Sequence, residues 1–82
     1  MYSVWLRRGP KDKHGLWESP RETRYYGPDE AEAVAAFNMA RHVRMARLVQ
    51  LVEHASDGDY RLREFSIVDG TARQVEIRSR IA

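Results

Sequence analysis

The stretch MARLVQLVEHASDGDYRLREFSIVDGTARQVEIRSRI, residues 45–81, decides the fold. Two Asp-Gly pairs, Asp57-Gly58 and Asp69-Gly70, divide it into three runs rich in branched and aromatic residues. Asp-Gly suits the primed turns whose twist matches that of paired strands, so residues 45–81 are expected to form a three-stranded antiparallel meander. The first run, MARLVQLVEH, carries branched residues on both faces, as a strand paired on both sides does. The last alternates most cleanly. Val75, Ile77 and Ile81, with Ser79 among them, face one way, and Gln74, Glu76, Arg78 and Arg80 the other.

Upstream of the meander, GPDEAEAVAAFNMAR opens at Gly27 with the features of a helix start. Gly27 is expected at the cap and Pro28 at the first helical position, with Asp29 and Glu30 where free N–H groups attract negative charge. Alanines at 31, 33, 35, 36 and 40 favour the helix, and Arg41, His42 and Arg44 suit its carboxyl end. Ala33, Val34, Phe37 and Ala40 fall on one face at spacings of three and four, a narrow stripe that allows close approach to a sheet.

At the amino terminus, YSVWLRR alternates Tyr2, Val4 and Leu6 against Ser3, Trp5 and Arg7, the period of a strand with two unlike faces. Residues 9–20, GPKDKHGLWESP, hold two prolines and two glycines and are expected to form a long exposed loop. Residues 21–26 are expected to form a short strand returning onto the first. The order β(β)αβββ implies an α+β fold, with an antiparallel sheet of four or five strands and one helix across a single face. All 82 residues are expected in one domain.

Composition narrows the functional classes. With 43% hydrophobic and 32% charged residues the chain has the balance of a globular protein. It has no cysteine, hence neither a disulfide framework nor a thiolate metal site. The apolar start at residues 1–6 is too short for a signal sequence, and no run approaches the roughly 20 apolar residues of a membrane span. A cytoplasmic location, in a bacterial host, is the expectation. Net charge is +2, yet twelve of the fourteen cations are arginine. Arginine's planar fork suits bidentate contacts and stacking on aromatics, though GC-rich coding also produces arginine excess.

The expected recognition surface is the sheet face that the helix leaves open, where Trp5, Arg7, Arg61, Arg63, Arg78 and Arg80 would gather. The competing reading has Glu53, Glu64 and Glu76 pairing with these arginines in a solvated charge ladder. Trp17, in the long loop, either extends the recognition surface or folds back over an open core edge. His14, His42 and His54 show no metal-site spacing, the serines no nucleophile-elbow pattern, and no phosphate-binding glycine motif occurs. No catalytic residue, metal or cofactor is therefore expected.

Two resemblances extend these expectations. GDYRLREFSIVDGTARQVEIRSRI, residues 58–81, resembles the carboxyl-terminal hairpins of RelE-like ribonuclease toxins. That implies RNA contact or cleavage by Tyr60, Arg61, Arg63, Arg78 and Arg80, although that family has a helical hairpin where only one helix fits here. Over the whole chain, the strand YSVWLRR, the helix start GPDEAEAVAAFNMAR and the double Asp-Gly meander resemble the architecture of small phage-encoded inhibitors, type I anti-CRISPR proteins among them. That resemblance implies a non-enzymatic blocker, monomeric or homodimeric, that docks on the Cascade surveillance complex and prevents target DNA binding. A protein partner is favoured, and nucleic acid is the alternative.

Overall fold

Strand alternation at the amino terminus lays down the first part of the core. In the computed structural model, which describes all 82 residues, β1 (Tyr2–Arg8) buries Val4 and Leu6 completely. Val4 and Leu6 are partnered by Leu51 and Val49 of β3 (Ala46–Ala55), also fully buried. Helix α1 (Glu30–Ala40) closes this layer with Ala33, Phe37 and Ala40. Burying an aliphatic or aromatic side chain of this kind stabilises the fold by about 1.5–3 kcal/mol. The stripe read from the sequence is the one that packs, with Val34 at its margin.

The helix begins two residues later than expected. Asp29, not Gly27, is the N-cap, its Oδ1 accepting from the Glu32 N–H at 3.2 Å, and Pro28 lies before the cap. A carboxylate that both accepts this bond and faces the positive helix end outcompetes glycine for the cap position. The helix also stops at Ala40 with Arg41 as its C-cap, so His42 and Arg44 lie in the turn beyond it. Met45 completes the reversal into β3 at a positive φ of 69°.

The sheet has order β2-β1-β3-β4-β5 and is antiparallel throughout. Residues 21–26 do supply a strand, β2 (Glu22–Gly27), on the outer side of β1. β4 (Gly58–Val68) and β5 (Thr71–Val75) complete the meander. A sixth strand, β6 (Ser79–Arg80), pairs with the start of β4, one more than the expected maximum of five. The second Asp-Gly pair forms the expected turn, Asp69 and Gly70 both at positive φ between partners Val68 and Thr71. At the first, the turn residues are Ser56 and Asp57, and Gly58 opens β4 opposite Ala55 with φ 143°.

β4 carries the feature that decides which sheet face its arginines occupy. Leu51 pairs with Arg63 and Val52 with Arg61, so Leu62 is an extra residue on β4, a β-bulge. On the other flank of β4 the partner strand breaks at the same level, between β5 and β6. The helix packs on β1, β2 and β3 alone, leaving β5 exposed along its whole length. No helix is long and apolar enough to cross a membrane.

Candidate recognition face

The bulge separates the arginines that sequence alternation would group. Tyr2, Val4 and Leu6 face the helix, so Glu53, partner of Tyr2, does too. Tyr60, opposite Glu53, shares that side, and the guanidinium of Arg78 lies 3.6 Å from the Tyr60 ring centroid while donating to Glu53 Oε1 at 3.1 Å. Arg80, partner of Tyr60, stands 6.0 Å from the same ring and donates to the Asp57 carbonyl. Arg63, opposite Leu51, donates to Glu76 at 2.7 Å. Arg63, Arg78 and Arg80 thus stand on the helix side of the sheet, beyond the helix itself, a correction to their expected place on the open face.

The charge-ladder reading holds on this side, and on the other face for Arg61 and Glu64. Glu53 and Glu76 neutralise Arg78 and Arg63. The Tyr60 phenol donates to Asp57 Oδ2 at 2.6 Å, and this hydrogen bond, with burial second, raises its pKa above the usual tyrosine range against the opposing pull of Arg78.

Trp5, Arg7 and Arg61 do lie on the helix-free face. Arg7 donates to the Ser19 carbonyl at 3.2 Å, and Arg61 sits 3.5 Å from Glu64, to which the Gln50 amide also donates. Arg61 Nε is buried without a partner. The pairing of residues 61 and 64 on one face is itself a product of the bulge, since strict alternation would put them on opposite sides.

The centre of this face is a cavity of about 440 Å³ between β2, β1 and β3. Val52, 3% exposed, forms part of its lining, with Trp5, Tyr26 and Ile81 as its other apolar residues. Arg21 reaches over Trp5, its guanidinium carbon 4.7 Å from the ring centroid, and has no carboxylate within ion-pair distance. A guanidinium on an indole face is held in place by the ring quadrupole while its N–H groups stay free to donate. Tyr26 is 64% exposed and tilted against the His54 ring at 6.1 Å. In the same cavity His54 bridges Ser3 and Asp59, Nε2 to Ser3 Oγ at 2.8 Å and Nδ1 to Asp59 Oδ1 at 2.9 Å.

Trp17 joins neither the Trp5 face nor the residues packed against the core. The loop folds back so that Trp17 forms a bridge with Lys11, whose ammonium lies 4.8 Å from the ring centroid. Half-buried, Trp17 lines a second cavity of about 480 Å³ with Arg47, Ile67 and Val68, away from the Trp5 cavity. No cluster of three or more His, Asp or Glu is spaced to hold a metal ion.

Arg21, Tyr26 and Asp59 carry no sequence signal of a site, and Ser3 and His54, weighed singly for a nucleophile motif and for metal spacing, show neither. Ser3 and Trp5 were legible as neighbours on one face of β1, but register alone brings His54 and Asp59 beside them. A scan of protein-family models, a search of curated proteins and a search of solved structures each returned no match.

Proposed function

We propose that the protein acts by binding a protein partner through the helix-free face of its sheet, as a small inhibitor of the phage-encoded kind. The observation that supports this most is the Arg21–Trp5 pair, an unneutralised guanidinium held on an indole at the rim of a partly apolar cavity. Trp and Arg are the residues that dominate binding energy at protein interfaces, and a cavity beside them receives a partner's anchoring side chain. Arg7 and the exposed Arg73, opposite Ser66, add positive charge elsewhere on the same face, while Arg61 is paired with Glu64. The partner surface that fits is acidic and aromatic.

The architectural resemblance to type I anti-CRISPR proteins gives the partner a class, a subunit of the Cascade complex, and the mode of action a form, steric block of target DNA binding. Clustered acids that would imitate DNA are absent from this face: its acids, Asp59 and Glu64, are engaged by His54, Gln50 and Arg61.

The test is an electrophoretic mobility shift of target DNA by purified type I Cascade, titrated with the protein. Stoichiometric loss of the shift is expected. An undiminished shift at several-fold molar excess across a panel of type I complexes contradicts the proposal. Binding of bare RNA or DNA, weakening steeply as salt rises, would reassign the same face to nucleic acid.

A further inference from the structure

The binding role makes no use of the hydrogen-bonded chain Ser3–His54–Asp59, which has a geometry of its own. A carboxylate only accepts, so Asp59 Oδ1 at 2.9 Å requires a proton on His54 Nδ1. A neutral imidazole with that proton has its lone pair on Nε2, and Nε2 is 2.8 Å from Ser3 Oγ, which then donates to it. This is the arrangement of a hydroxyl nucleophile, a general base and a carboxylate that orients the base, a constellation defined by geometry and role rather than by position in the chain.

Three features make the chain more than a cross-strand polar contact. Each member comes from a different strand, β1, β3 and β4, and Ser3 is paired on both sides, with Tyr26 and Val52, so its position is fixed. The His54 N–H donates to the Met1 carbonyl at 2.8 Å, locking the amino terminus beside the imidazole. The constellation opens into the cavity of about 440 Å³, where Trp5, Val52 and Tyr26 offer apolar surface, a size within the range of small-molecule sites. His54 and Asp59 side chains are 35% and 39% exposed, so a reagent reaches them.

Backbone N–H groups of β1 are engaged in its two ladders and cannot form an oxyanion site there. Arg21 lines the same cavity, unpaired, and is its only arginine or lysine. We infer that Ser3 is a nucleophile activated by His54, with Asp59 as the positioning residue and Arg21 as the donor to developing negative charge, acting on small carboxylic esters with a short apolar acyl group.

In the first step Ser3 Oγ adds to the ester carbonyl as its proton passes to His54 Nε2. The tetrahedral adduct expels the alcohol, which leaves with that proton, and the acyl group remains on Ser3. Water, deprotonated by His54, then attacks the acyl carbonyl, releasing the acid and restoring the Ser3 hydroxyl.

The experiment treats the purified protein with diisopropyl fluorophosphate, which forms an Oγ–P bond with loss of fluoride, and maps the adduct by mass spectrometry. p-Nitrophenyl acetate hydrolysis is followed alongside. A single adduct at Ser3 is expected, absent in Ser3→Ala and formed at least about 100-fold more slowly in His54→Gln. Asp59→Asn is expected to slow the inactivation step while leaving the concentration for half-saturation unchanged. No adduct under conditions that label a serine hydrolase control, an adduct at another residue, or an unchanged rate in a folded His54→Gln protein overturns the inference. Mapping the wild-type adduct decides the matter even where a variant fails to fold. The outcome is separable from the binding proposal, because labelling requires no partner and partner binding requires no adduct.

Discussion

Arg61 and Arg63, which strict alternation would set side by side, stand on opposite faces of the sheet because Leu62 is accommodated as a bulge between them. One extra residue turns what looks like a single basic patch into two surfaces of different character. On the helix side, Arg63 and Arg78 are spent on Glu76 and Glu53. On the open side, Arg21 retains its donors beside Trp5.

The paired arginines are expected to matter little to stability. Arg63 and Arg78 are part-exposed, 31% and 53% for their side chains, and ion pairs in such settings contribute about 0–1 kcal/mol. Arg63→Ala and Arg78→Ala should each shift the urea midpoint only slightly, with Arg78 the larger because it also stacks on Tyr60.

Phe37 is the largest fully buried side chain, and it joins the helix to the sheet. Phe37→Ala is expected to cost about 3–5 kcal/mol, a large part of the stability of a domain this small. Thermal denaturation followed by circular dichroism should show a melting temperature lowered by well over ten degrees or no cooperative transition. Met39→Ala, 75% exposed on the same helix, should leave it nearly unchanged.

Acid should loosen the edge of the sheet through one ion pair. Arg8 donates to Glu22 at 2.6 Å, and this hydrogen bond is the main cause holding the Glu22 carboxyl below its ordinary value. A depressed carboxylate pKa stabilises the fold above the unfolded-state value of 4.5, and that contribution is lost as pH falls through the lower folded-state value. Glu22→Gln should therefore melt earlier than the wild type at pH 6 and lose less of its remaining stability between pH 5 and pH 3, roughly the window in which carboxylates protonate.

Gly58, at the start of β4, and the turn residue Gly70 should respond differently to alanine. Gly58 has φ 143° and a Cβ there would run into the Ala82 carbonyl, whereas Gly70 at φ 75° opens onto space. Gly70→Ala should cost about 1 kcal/mol, the strain of a left-handed residue. Gly58→Ala should cost more and free the carboxyl terminus, which is held by the Asp59 N–H bond to Ala82. Hydrogen exchange at Ile81, whose N–H donates to Asp59, reads that release.

The fold was legible because its signals are local. Alternation in YSVWLRR, the stripe through Ala33, Phe37 and Ala40, and Asp69-Gly70 each depend on neighbours a few residues apart, and each survives in the structure. The site was legible only in part. Trp5, Arg7 and Arg61 reach the open face as expected, but a bulge has no fixed sequence mark, and it alone reverses Arg63 relative to Arg61. Arg78 and Arg80 alternate as read, yet the side their strand presents is set by its register against β4. Ser3, His54 and Asp59 are brought together by two strand registers, which no local spacing encodes.

The most direct measurement is the affinity of purified type I Cascade for two double variants of this protein, compared with wild type. Trp5→Ala with Arg21→Ala, on the helix-free face, should weaken binding by about 30-fold or more, as loss of an interface hot spot does. Arg63→Ala with Arg78→Ala, on the helix side, should bind as the wild type does. No binding by the wild type, or loss of binding in the second variant with retention in the first, would contradict the assignment of recognition to the helix-free face.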